Sequence, residues 1–327
     1  MTIPIVKHRI FYHCFDTPRP TGGQKSTYQH VDVLNDAGFE AYAVHSSERY
    51  RLQWFDNNTR VITWTNLWRL FDPQKDIMVL PENLGPKIFE FPGRKVIFNK
   101  NIYYGYRSVS DIQPDTDPYS HPDLLGVLVV SGHNQQHLQF AYPDLPIFKV
   151  IEYVDARAFP FVSLAEKKRQ GAYVSKLTPN LLSILHSFTA RACYGHNAGK
   201  DFKWVLVDSL NEQQVSAVLR DSLIVLFPSV EEGLGRFPIE ALLSGCIVLG
   251  PSSGPCQEFL PPTFQFPYGD AVSVVEAIER IIVPGPSIVA YQAEVEAARL
   301  KALTYSKEAQ AASVSSAWNH LLARLNH

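Results

Sequence analysis

Cysteine is scarce in this sequence. Cys14, Cys193, Cys246 and Cys256 are the only four among 327 residues, and they form neither a C-x-x-C pair nor a zinc spacing. That excludes a disulfide-stapled secreted scaffold and makes them small apolar residues of a reducing compartment. Long apolar runs are missing as well. No stretch approaches the ~20 apolar residues of a membrane helix, and the opening MTIPIVKHRIFYHCF has no signal-peptide core. The expected location is the cytoplasm, in solution or peripheral to a membrane. Charge of one sign is not in excess either: 30 Lys and Arg face 32 Asp and Glu, a net −2. This gives no general drive towards nucleic acid. Short-period repeats and low-complexity segments are absent.

What is present is apolar substance. Hydrophobic residues make up 46% of the chain and charged residues 19%, enough for a large packed core. The length favours two domains. Short apolar runs alternate with helical patterns: RIFYHCF (9–15), FEAYAVHS (39–46), RVITW, DIMVLP, KVIFNK and GVLVVSG, then GAYVSKL (171–177), KWVLVDS (203–209), SLIVLFPS (222–229) and CIVLGPS (246–252). Continuous apolar strands separated by helices predict doubly wound parallel sheets. The pattern restarts near residue 150, so the expected domains are 1–150 and 151–306, with 143–161 as the crossover. The tail 307–327 reads as an amphipathic helix with Trp318, Leu321, Leu322 and Leu325 as its buried stripe. Ligands of such sheets sit at the carboxyl ends of the strands.

The stretch PSVEEGLGRFPIEALLSGCIVLG (228–250) concentrates the chemistry. A buried strand leads into a turn, then into a helix with Pro238 in its first turn, where a missing N–H costs least. The helix start presents N–H groups and a partial positive charge to an anion. Gly233 and Gly235 let a ligand approach the backbone closely. Glu232 falls in the loop and Glu240 in the first turns of the helix. A carboxylate accepts two hydrogen bonds at once and so matches a ribose diol. The structural alternative is that both acids merely decorate a helix start.

SVEEGLGRFPIEALLSGCIVLGPSSGPCQEFL resembles the donor-site signature of the retaining glycosyltransferases of family four, E-G-F-G-x-x-x-x-E-A-x-A-x-G-x-P-V-V. Glu232, Gly233, Gly235, Glu240, Ala241 and Gly245 match it. Leu234, Leu243 and Ile247 depart from the usual Phe, small residue and Pro. The resemblance implies the GT-B fold: α/β, two Rossmann-like domains facing a cleft, and a C-terminal helix crossing back to the first. It implies that Glu240 binds the donor ribose, that Glu232 faces the donor sugar, and that the N–H groups around Leu234 and Gly235 lie near the sugar and diphosphate. Gly254 and Glu258 fit the following G-G-x-x-E pattern loosely, and FPYGDAVSVVEAIERII resembles the family's P-x-D segment and next helix. In the segment 22–44, Gly22 and Gly23 are similar to the family's glycine loop, which approaches the donor phosphates. Lys176 takes the place of the first phosphate-binding cation. Asn180 and Leu181 cannot replace the second, so that charge comes from Arg236, Arg157 or Lys200 or is absent.

Other motifs read blandly. GLGRFP lacks the third glycine of a dinucleotide fingerprint, and GHNAGKD (195–201) is too short for a Walker loop. DTD (115–117) spells a metal-binding triplet but lies among prolines. His133 and His137 share a helix face without the Glu of H-E-x-x-H, and EKKRQ (166–170) reads as a solvated face. His133 follows a strand end and is a candidate catalytic residue beside Glu232. In FNKNIYYGYRSV (98–109), Asn101, Tyr103 and Tyr104 are candidates for an acceptor sugar.

The expected activity is transfer of a sugar, with anomeric retention, from a nucleotide-diphosphate sugar to a hydroxyl of a glycan or lipid-linked acceptor. No metal or other cofactor is expected, and no nucleic-acid partner. The alternatives are a nucleotide-sugar epimerase, a phosphorylase, or a non-catalytic nucleotide-sugar-binding module.

Overall fold

The computed structural model describes residues 8–106, 116–174, 178–195, 199–283 and 287–326. Two compact units emerge: Met1–Tyr153 with Lys307–His327, and Val154–Ser306.

The first unit is built on seven strands: β1 Arg9–His13, β2 Glu40–His45, β3 Val61–Thr63, β4 Ile77–Pro81, β5 Arg94–Asn99, β6 Leu124–Val129 and β7 Ile147–Lys149. They lie in the order β3-β2-β1-β4-β5-β6-β7, all parallel. The apolar runs become strands because both faces are covered; β4 is buried at every position. The order reverses between β1 and β4, and their carboxyl ends therefore flank a crevice. Helices α1 Gly22–Asp36, α2 Trp64–Leu70, α3 Ile102–Tyr106 and α4 Gly132–Ala141 follow strand ends. α1 begins two residues earlier than QKSTYQ suggests, because Thr21 is its N-cap and accepts the Gln24 N–H.

β7 falls inside the segment read as a crossover. It is a three-residue edge strand directly after Pro146, too short to show a period, and the Val127 N–H donates to the Pro146 carbonyl.

The second unit carries β8 Lys168–Val174, β9 Lys203–Val207, β10 Ser222–Leu226, β11 Ile247–Pro251 and β12 Gln265–Phe266, in the order β12-β11-β10-β8-β9. These strands are parallel too. Its helices are α5 Pro179–Tyr194, α6 Glu212–Asp221, α7 Arg236–Leu243, α8 Ala271–Ile282 and α9 Ser287–Ala302. α5 packs against α8, and α7 against α6 and α9. The strand order reverses between β8 and β10. The Val154 N–H donates to the Tyr305 carbonyl at 3.0 Å, tying the two ends of this unit together.

The last helix, α10 Lys307–Ala323, belongs to the first unit and packs on α1, β6 and β7. Its buried face is Gln310, Val314, Ala317, Trp318 and Leu321. Trp318 is fully buried, and its indole N–H donates to the Tyr12 hydroxyl at 3.0 Å. Leu322 and Leu325 are only half-buried, contrary to the expected stripe. Leu322 lies about 100° around the helix from the centre of the stripe, and Leu325 falls in the tighter turn Arg324–Asn326 after α10 ends.

Candidate functional site

In the second unit the site grows from β10. All five of its residues are buried, and Phe227, which follows, is 3% exposed. The chain then leaves the sheet at its reversal point and reaches α7 through Glu231–Gly235. Gly235 is the N-cap of α7 with φ +90°, in the left-handed region. A Cβ there would also stand 3.1 Å from both Phe227 Cε1 and Pro238 Cγ. Only glycine suits this position. Leu234 is 3% exposed, so its side chain enters the core and its backbone is what remains for a ligand. Gly235, as N-cap, has no side chain with which to cap α7, and a helix start of this kind carries the partial positive charge that suits an anion.

Glu232 and Glu240 are both half-buried, one in the loop and one a turn inside α7. Glu232 is close enough to Cys256 for its charge to add to the effect of burial in raising that thiol. Gly254 lies over the same loop, since a Cβ on it would meet the Val230 carbonyl at 3.4 Å. The turns after β10 and β11 therefore adjoin. Beside them, at the carboxyl ends of β10–β12, an open hollow of ≈ 290 Å³ is lined by Asn180, Pro228, Pro251, Phe266, Tyr268 and Asp270, among others. The buried Asn180 Oδ1 that borders it has no hydrogen-bond partner among the described residues.

The expected cations separate. Lys176 lies outside the described residues. Arg157 is 88% exposed and held by Asp155 through two hydrogen bonds of 3.0 and 2.9 Å. Lys200 is exposed in the turn that precedes β9. That turn is at the amino edge of the sheet, the wrong end for a ligand. Arg236 is the first residue of α7, half-buried, and fits best of the three.

In the first unit, Gly22 and Gly23 open α1. Asn101 is buried, and its Oδ1 accepts the Tyr103 N–H at 3.0 Å; the side chain serves the start of α3. Tyr103 and Tyr104 are half-buried. The Tyr103 ring stacks on His133 at 6.3 Å, and His137 stands one turn further along α4. An acceptor candidate and a catalytic candidate are thus brought together at the carboxyl ends of β5 and β6.

Three neighbours of this edge were not singled out from sequence: His13 at the end of β1, Glu82 just after β4 and Lys100 just after β5. Their positions after apolar strands were the available signal. Burial, with help from the charges of Lys100 and His45, lowers His13 to about 4, so its imidazole is neutral at pH 7. Burial raises the carboxyl of Glu82.

Of the DTD triplet, Asp115 is outside the described residues. Asp117 is buried, and its Oδ1 accepts the Tyr119 N–H as a turn cap. Among the described residues no three potential metal ligands cluster, and no helix is long and apolar enough to cross a membrane.

No family model matches the sequence. An alpha-1,6-glucosyltransferase from Actinobacillus pleuropneumoniae serotype 7 (strain AP76) is 24% identical over 250 residues, which are 73% of this chain and 71% of that one. Among solved structures, sucrose-phosphate synthase from Thermosynechococcus elongatus superposes with a TM-score of 0.68 at 14% identity, covering 97% of this chain and 100% of the other. A mutant of S. aureus TarM bound to fondaparinux, alpha-GlcNAc-glycerol and UDP gives 0.70 at 12% identity over 96% and 99%. The pneumococcal O-GlcNAc transferase GtfA, bound to UDP and GlcNAc, gives 0.63 at 10% over 98% and 99%. With its two parallel sheets and terminal helix, the chain has the GT-B glycosyltransferase fold.

Proposed function

We propose that this chain is a retaining glycosyltransferase that carries a sugar from a nucleoside-diphosphate sugar to a hydroxyl of a glycan or lipid-linked acceptor, without a metal. The observation that carries the reading is the start of α7 behind Glu232-Gly-Leu-Gly235, with left-handed Gly235 as its N-cap, at the reversal point of a parallel sheet. Glu240 takes the ribose diol. Glu232 faces the sugar. N–H groups at the start of α7, with Arg236, stabilise the departing diphosphate, and catalysis consists largely of positioning and charge stabilisation. The name of the Actinobacillus relative and the UDP in two structural neighbours make UDP-glucose the first donor to try. Retention rests on the family resemblance.

One observation favours a second reading, a binding module without turnover: Asn180 and Leu181 stand where a second phosphate-binding cation is expected. A thermal-shift screen of nucleoside diphosphates and nucleotide sugars tests the donor, since a ligand at 100 times its dissociation constant adds ~2.7 kcal/mol to the folded state. NMR of the product anomer, with a panel of glycan acceptors, then tests transfer. Binding without turnover supports the module; a free sugar formed regardless of acceptor supports an epimerase; no binding at all refutes the proposal.

A further inference from the structure

Lys100 follows the carboxyl end of β5, and its side chain lies along the first turn of α1. A Cβ on Gly23 would stand 3.2 Å from Lys100 Cε and 3.3 Å from Cδ. Glycine at 23 thus gives passage to this stem. The ammonium ends 4.6 Å from the centroid of the Phe98 ring and 3.9 Å from Glu82 Oε2. The second distance is too long for a hydrogen bond. Oε2 has no hydrogen-bond partner among the described residues, although Glu82 is only 4% exposed. The charge of Lys100 and backbone N–H groups of Lys100, Glu82 and Asn101 oppose the effect of burial on this carboxyl. The pair is an open one: Glu82 anchors the ammonium by charge and leaves its protons for another acceptor. The influence of Lys100 extends past Glu82, because it helps keep His13 neutral and opposes burial at Cys14.

Nearby, Gly22 is exposed at the start of a 15-residue helix, and the Thr21 side chain is already engaged with the Gln24 N–H. We propose that Lys100, placed by Glu82, is the phosphate-binding cation of the first unit and holds a phosphoryl group of a substrate beside the start of α1. Lys100 is the binding group and Glu82 a positioning residue. The inference rests on the glycosyltransferase reading and deepens it, because it names a group of the first unit that would bind a substrate phosphoryl. The phosphoryl group belongs to the donor diphosphate or to a phosphorylated acceptor.

Calorimetry on the full chain separates these sources, with UDP, GDP, ADP and inorganic pyrophosphate as probes. The variants are Lys100→Met, Lys100→Arg, Glu82→Gln and the double Lys100→Met/Glu82→Gln, which leaves no buried charge unpaired. Lys100→Met and the double variant should weaken the phosphate-bearing probe by about 10- to 150-fold, the loss of a charge-assisted hydrogen bond. Lys100→Arg should retain most of the affinity. Glu82→Gln should weaken the same probe while the parent nucleoside binds as before, a split that misfolding would not produce. Loss with the nucleoside diphosphate assigns the donor; loss confined to pyrophosphate, on protein saturated with the nucleoside diphosphate, assigns the acceptor. Pyrophosphate binding that depends on Lys100, without nucleoside diphosphate binding, upholds the cation and removes the donor reading. Normal nucleoside diphosphate and pyrophosphate binding in Lys100→Met, with loss only in Glu240→Ala, overturns the cation and leaves the donor reading standing.

Discussion

Glu232 lies in the loop before α7 and Glu240 a turn inside the helix, and the proposed reaction gives them different tasks. If Glu240 holds the ribose, its contacts exist before the reaction begins. Glu240→Ala should then weaken both the nucleoside diphosphate and the full donor by about 10- to 150-fold. Glu232→Gln, close in shape, should leave nucleoside diphosphate affinity near wild type and slow transfer, because its charge matters as positive charge develops at the anomeric carbon. Calorimetry and single-turnover rates check both; equal weakening of nucleoside diphosphate binding by the two variants would show the division of labour to be wrong. Asp32 offers a separate test of burial. Its Oδ2 accepts the Thr59 hydroxyl at 2.9 Å, and burial raises the carboxyl to about 6. The folded state therefore holds the proton more tightly than the unfolded chain, and stability falls as pH rises from about 4 through about 6. Asp32→Asn removes that loss and should stabilise the protein by on the order of 2 kcal/mol at pH 7.5 but hardly at pH 4. Melting curves at the two pH values decide it. The candidate stretch 228–250 could be singled out in sequence, because glycines, a proline and acids at fixed spacing mark a turn that leads into a helix. Lys100 was not legible: what matters is the path of its stem over Gly23, and that depends on the packing of β5 beside α1.

At the scale of elements, β10, its loop and α7 were readable because a buried strand, a glycine turn and a proline-started helix each leave a local signature. β7 and β12 were not. They are three and two residues long, and only the neighbouring strand makes them strands. α10 was readable as a helix, but its buried stripe was displaced, because Gln310 and Val314 take positions that the leucine spacing assigned further along. Gln310 is fully buried, an amide no apolar periodicity would place inside. Deleting 307–327 removes Trp318, Leu321 and Val314 from the first unit. Each buried apolar side chain contributes ~1.5–3 kcal/mol, so the melting temperature should fall by many degrees. Calorimetry that finds it unchanged would refute the importance of this packing. Trp318→Phe, which keeps one aromatic ring but loses volume and the donor to the buried Tyr12 hydroxyl, should cost less than the deletion, about 1–3 kcal/mol.

For the whole molecule, alternation of strand and helix pointed to two parallel sheets, and the compact units of the structure divide after Tyr153 and after Ser306. Nothing local marks the reversal of strand order at β1–β4 and β8–β10. That order follows from which crossovers pack each helix, and it is what gathers the candidate residues at the strand ends. In the proposed reaction the start of α7 and Arg236 carry the phosphate charge, so transfer should persist in excess EDTA. Turnover lost on chelation and restored by manganese or magnesium would refute the metal-independent reading.

The second unit is continuous in sequence, whereas the first takes its final helix from beyond it. A ribosome therefore completes the later unit before the earlier one has all its parts. At roughly 5–20 residues per second, the interval between Tyr153 and Lys307 is on the order of 10–30 s. Through that interval the nascent first unit lacks the cover that α10 gives to Tyr12 and α1, and it presents an apolar surface to the cell. The unit synthesised first is thus the last to be completed.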